Sequence, residues 1–81
     1  MNDETEQFRR AEVARINAEA AERTALEVRH GQVWNTAQLQ ADFIAESFAA
    51  PFIIVRRKSD GQRGTLTFQH SPRFYWGFEV L

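Results

Sequence analysis

The 81-residue chain has no cysteine. That excludes disulfides and thiolate metal sites and suits a reducing compartment. Proline occurs twice and glycine four times, and residues 2–30 contain neither. Long apolar runs are missing as well. No stretch approaches the ~20 residues a membrane-crossing helix requires, and the charged first residues carry no signal-peptide core. A cytoplasmic protein without a membrane partner is the expectation. The net charge of −1 is far from the strong basicity of a general nucleic-acid coat protein. Aromatics are scarce early on: the first thirty residues hold only Phe8, whereas nine of the ten Phe, Trp and Tyr residues follow Gly31.

What is present divides the chain in two. Residues 1–30 read as one uninterrupted helix and residues 31–81 as a compact aromatic domain. Asp3 or Thr5 is placed to cap the helix, with Asp3, Glu4 and Glu6 at its positive end. Arg29 and His30 stand at its negative end, and Gly31 supplies a left-handed stop. Glu6/Arg10, Glu19/Arg23 and Arg23/Glu27 have i,i+4 spacing. Ala11, Ala14, Ala18, Ala21, Ala25 and Val28 alternate three and four apart, a heptad seam of small residues. Val13, Ile16 and Ala20 widen the apolar surface beside it. A compact part of about fifty residues is marginal without disulfides or metal. The helix must therefore pack back on its own domain or join copies of the chain, and a homo-oligomer is expected.

In the second part, Gln32–Trp34 reads as a short strand. Asn35 with Gln38 forms a capping box, and Trp34 with Leu39 a hydrophobic staple. These predict a helix running to about Ser47 with Leu39, Phe43 and Ile44 on its apolar side. Three strands follow: Phe52–Lys58, Arg63–His70 and Phe74–Val80. A three-residue loop, Ser59-Asp60-Gly61, sets Lys58 opposite Gln62, Ile54 opposite Leu66 and Phe52 opposite Phe68. For the next connection, a two-residue turn puts Arg73, Tyr75 and Gly77 beside Leu66 and Phe68, and a three-residue loop puts Phe74, Trp76 and Phe78 there. Face consistency favours the second. The remaining face, with Ile53 and Val55 beside arginines, then needs a cover from the first helix, another subunit or a ligand. The expected fold is α+β: a long N-terminal helix, then a small βαβββ domain with a three-stranded antiparallel sheet.

The chemistry-bearing residues are mostly basic. After Gly31 every lysine and arginine falls between Arg56 and Arg73. Arg56, Arg57, Lys58 and Arg63 surround the Asp60-Gly61 tip. Arginine's planar fork of donors matches phosphate and carboxylate oxygens, and an aromatic ring nearby adds stacking. The candidate ligand-binding set is Arg56, Arg57, Arg63, Gln69, His70, Arg73 and Tyr75. The plainer account is a sheet edge kept soluble by charge. Neighbouring His70 and Ser71 point to opposite sides of a strand, so they do not form a nucleophile–base pair. Two histidines and scattered acids show no metal-ligand spacing. The segment from Asp60 to Thr65 lacks the lysine and spacing of a P-loop. Gly64 suggests a bulge or a close crossing, and Gly77 a place where a neighbour approaches. The functional expectation is a non-enzymatic, homo-oligomeric protein without a cofactor, gripping a phosphate-bearing ligand, nucleotide or nucleic-acid segment. The alternative is a protein-interaction module acting through its helix or sheet edge.

Overall fold

The computed structural model describes residues 4–81. A helix, α1 (Glu4–His30), leads into β1 (Val33–Trp34), α2 (Thr36–Asp42), β2 (Phe43–Ala49), β3 (Phe52–Arg57), β4 (Arg63–His70) and β5 (Arg73–Val80). The strands form one antiparallel sheet in the order β1-β5-β4-β3-β2. The class is α+β, but the sheet has five strands where three were expected.

Local chemistry explains the helix ends. Gly31 takes φ 83° and its N–H donates to the Glu27 carbonyl at 2.9 Å, the left-handed stop anticipated for α1. Thr5 lies inside the helix, and the Asp3 cap lies outside the described residues. Along α1, Arg10 pairs with Glu6 at 2.7 Å, and Arg15 pairs with Glu12 and with Glu19. Glu19 thus meets Arg15 instead of Arg23. At α2 the capping box is formed: Asn35 Oδ1 accepts from Gln38 N at 2.8 Å, and Gln38 Oε1 accepts from Asn35 N at 3.0 Å. Trp34 and Leu39 lie in the same buried cluster.

The second helix stops five residues short of Ser47, and residues 43–49 are a strand. Tertiary contacts override the helical pattern here. The Asp42 carboxylate accepts the Trp34 indole N–H at 2.9 Å, and the Asp42 carbonyl accepts from Lys58 N at 2.9 Å. Phe43 then turns extended, and its ring meets Trp34 edge-on at 5.4 Å and Phe78 at 5.4 Å. β1 and β2 are opposite edges of the sheet, yet Trp34 and Phe43 touch. A seven-residue helix spans only ~10 Å, whereas five flat strands are ~19 Å wide. The sheet must therefore curl around its own interior, with α2 bridging the two edges.

Both hairpin registers differ from expectation. Arg57 N donates to the Gln62 carbonyl at 2.8 Å, so the first loop is Lys58–Gly61, one residue longer than expected. Ile53 now faces Leu66, and Phe52 faces Thr67. That single step turns β3 over. Ile53, Val55 and Leu66 become the fully buried centre, and Phe52 points out. The second connection is the two-residue turn Ser71-Pro72, with His70 opposite Arg73 and Phe68 opposite Tyr75. A bulge follows at Gly77, whose φ of 72° few side chains adopt. It returns Phe78 to the inner face against the core.

The inner face therefore holds Trp34, Leu39, Phe43, Ile53, Val55, Leu66, Phe68 and Tyr75. A second cluster on the outer face joins Leu26 of α1 to Val33 and Phe74, with Trp76 beside it. Phe74 and Trp76 are thus covered by the first helix and not the second. His30 stacks on Trp76 at 5.0 Å, and Arg23 donates to the Val33 carbonyl at 2.7 Å. Only the last turns of α1 make these contacts. Every side chain from Thr5 to Ala18 is exposed, and the molecule extends 57 × 23 × 23 Å.

Candidate functional site

The seven candidate residues fall in four places. Arg56 and Arg63 face each other on the outer face. Glu46, the extra residue of a bulge in β2, approaches both, at 3.7 Å from Arg56 Nε and 3.0 Å from Arg63 Nε. One carboxylate against two guanidiniums leaves that cluster net positive. Gln69, also outward, donates to the Pro72 carbonyl at 3.0 Å and lies 3.5 Å from the Glu22 carboxylate of α1.

Arg57 is on the inner face, at the end where Phe43 and Phe78 sit. Its guanidinium lies 4.9 Å from the Phe78 ring centre. It also donates to Asp60 at 3.0 and 2.6 Å. That fork, followed by the Gln62 backbone N–H, lowers the Asp60 carboxyl to about 2, and the same contact raises Arg57. Lys58 donates to the Gln40 carbonyl at 2.7 Å. The basic hairpin is thus largely tied to the protein's own acceptors.

His70, Arg73 and Tyr75 come together at the opposite end of the inner face. Arg73 lies 4.9 Å from the Phe68 ring centre and 5.9 Å from that of Tyr75. It donates to His70 Nδ1 at 3.0 Å and, at a long 3.4 Å, to the Tyr75 hydroxyl. Tyr75 is only 3% exposed, so its ring belongs to the core and offers no open stacking face. Phe68, absent from the candidate set, is the centre of this group. His70 and Phe48 meet it edge-on at 5.3 and 5.5 Å. Its alternation with Leu66 marks it as core, and only the correct β5 register brings Arg73 onto it.

Cavities do not reunite the set. A cleft of about 480 Å³ between Trp34, Asp42, Phe43, Lys58 and Phe78 takes in Arg57 alone. A groove of about 450 Å³ between α1, the start of α2 and the Ser71-Pro72 turn takes in Arg73 alone. Among the described residues no three His, Cys, Asp or Glu side chains gather to hold a metal ion. No described helix is long and apolar enough to cross a membrane.

The helix presents a different kind of surface. Phe8, Val13 and Ile16 are 71%, 56% and 50% exposed. The alanine seam and Val28 are exposed along their whole length, on a flank turned away from buried Leu26. The seam therefore takes no part in packing within the chain. No family model, curated protein or solved structure matches this chain.

Proposed function

We propose that the protein is a non-enzymatic interaction module whose working surface is the projecting part of α1, and that another copy of the chain is one partner of that surface. One observation carries this reading: every side chain from Thr5 to Ala18 is exposed, and Phe8, Val13 and Ile16 among them present large apolar surface to solvent. A helix needed only as a spacer gains nothing from three large apolar side chains, and isolated helices of this length are marginal in water. Ion pairs within the helix add only a few tenths of a kcal/mol each. Packing against a partner supplies the missing burial.

Sedimentation of the full chain across a wide concentration range tests the reading. Reversible association is expected, and it should weaken strongly when Phe8, Val13 and Ile16 are all changed to Ser. A monomer at every concentration would remove self-pairing. Association unaffected by the triple change would remove the helix as the surface.

A phosphate-bearing ligand is the second reading, favoured by a specific observation. Arg56, Arg57 and Arg63 each have a carboxylate of the chain beside them, whereas Arg73 has none among the described residues. Support for ligand binding therefore concentrates at Arg73 and its neighbour His70.

A further inference from the structure

Arg57 and Arg73 lie at opposite ends of the inner face, each against an aromatic ring at 4.9 Å. Asp60 neutralises the first. The second is half-buried and has no acidic partner among the described residues. Its position is nonetheless fixed. Phe68 and Tyr75 hold the guanidinium plane, and His70 Nδ1 takes one N–H at 3.0 Å. Arginine cannot accept a hydrogen bond, so His70 Nδ1 is the acceptor. In the neutral ring the proton then resides on Nε2, as a second donor beside the cation.

We propose that Arg73 and His70 form a binding site for an oxyanion, a phosphate monoester or a carboxylate carried by a small molecule. The inference rests on the second reading above and names its donors. Several guanidinium N–H groups remain for the ligand, and a planar fork suits paired oxygens. The ring beneath the guanidinium already excludes water from one side, so an arriving anion meets a cation that is partly desolvated and pre-oriented. His70 stands opposite Arg73 across the two-residue turn, which fixes the spacing of the donors. Phe48, exposed and edge-on to Phe68, offers an apolar wall for the rest of the ligand.

The test is an NMR titration of the ¹⁵N-labelled full chain at constant ionic strength, first with inorganic phosphate and separately with acetate. Saturable shifts are expected at the Arg73 side chain and the His70 ring. Arg73→Gln should weaken binding roughly tenfold or more, as for loss of hydrogen bonds to a charged group. Arg73→Lys keeps the charge but loses the fork, and should also bind more weakly than wild type. Should Arg73→Gln fail to fold, the lysine variant carries the comparison. Shifts with phosphate alone identify a phosphate ligand, and shifts with both identify a general oxyanion site. Saturable shifts at Arg56 and Arg63 instead would overturn this site while keeping the ligand reading. Absence of saturable shifts anywhere would overturn both. Equal affinity in Arg73→Lys would overturn the role of the clamped guanidinium.

Discussion

The arginines of the sheet domain differ in what stands opposite each guanidinium. Arg56 and Arg63 share Glu46, Arg57 holds Asp60, and Arg73 has rings and a histidine. These differences are invisible in the sequence, where the same residues form one basic cluster. For Asp60 the pairing has a consequence in pH. Its carboxyl sits at about 2 against an ordinary 3.8, first because of Arg57 and then because of the Gln62 N–H. A folded value below the unfolded one means that the ionised form favours the fold. That contribution is present above the ordinary aspartate value and disappears as pH falls through about 2. Asp60 is exposed, so the effect on stability is small, and the direct readout is the titration itself. Carbon-detected NMR should give Asp60 a midpoint near 2 in the wild type. In Arg57→Gln the midpoint should rise most of the way toward 3.8. An unchanged midpoint would show that the backbone N–H alone holds the carboxylate.

At the scale of elements, the β4–β5 pairing depends on two glycines used differently. Gly77 supplies the positive φ of the bulge that brings Phe78 inward. Gly64 supplies space: a Cβ there would lie 2.4 Å from the Phe78 ring and 2.5 Å from the Glu79 carbonyl oxygen. The backbone oxygen cannot move without breaking the ladder. Gly64→Ala should therefore destabilise the protein by about 1–3 kcal/mol, the cost of overpacking a filled interior. Urea unfolding followed by tryptophan fluorescence reads this directly, and a change under half a kcal/mol would contradict the crowding. These glycines also show where sequence reading succeeds and where it stops. The stop of α1 at Gly31 and the Asn35–Gln38 capping box are set by neighbouring residues, and both were legible. Strand register was not. Phe-Ile-Ile-Val is apolar at every position, so residues 52–55 present no alternation to say which face is inside. One extra loop residue reversed β3, and the rejected two-residue turn proved correct once the Gly77 bulge restored Phe78. Residues 43–49 are equally ambiguous, and only pairing with β3 makes them a strand. The candidate site inherited these errors, because whether Arg57 and Arg73 share a face with Arg63 is decided by register.

For the whole molecule, the question is what the free part of α1 contributes. The helix is anchored near its C-terminal end, where Leu26 is 5% exposed and packs with Val33 and Phe74. From Thr5 to Ala18 every side chain is exposed, and Ile16 alone of these lines the groove beside Pro72 and Phe74. Removing residues 1–18 should therefore change an isolated chain's stability little, because the side chains from Thr5 to Ala18 are exposed. The full chain should behave differently if that helix pairs with another copy. Association binds only the folded state, so the melting temperature should rise with protein concentration. The truncated chain should melt cooperatively at one temperature regardless of concentration. It should match the full chain only at high dilution. Leu26→Ala, which empties the anchor, should lower stability in both forms by about 2 kcal/mol, the low end for a buried leucine. A truncated chain that fails to fold at all would mean the free turns are needed within one chain. A full chain whose melting temperature is independent of concentration would mean they serve a partner other than itself, because a helix that neither stabilises its own fold nor pairs with a copy has its burial elsewhere.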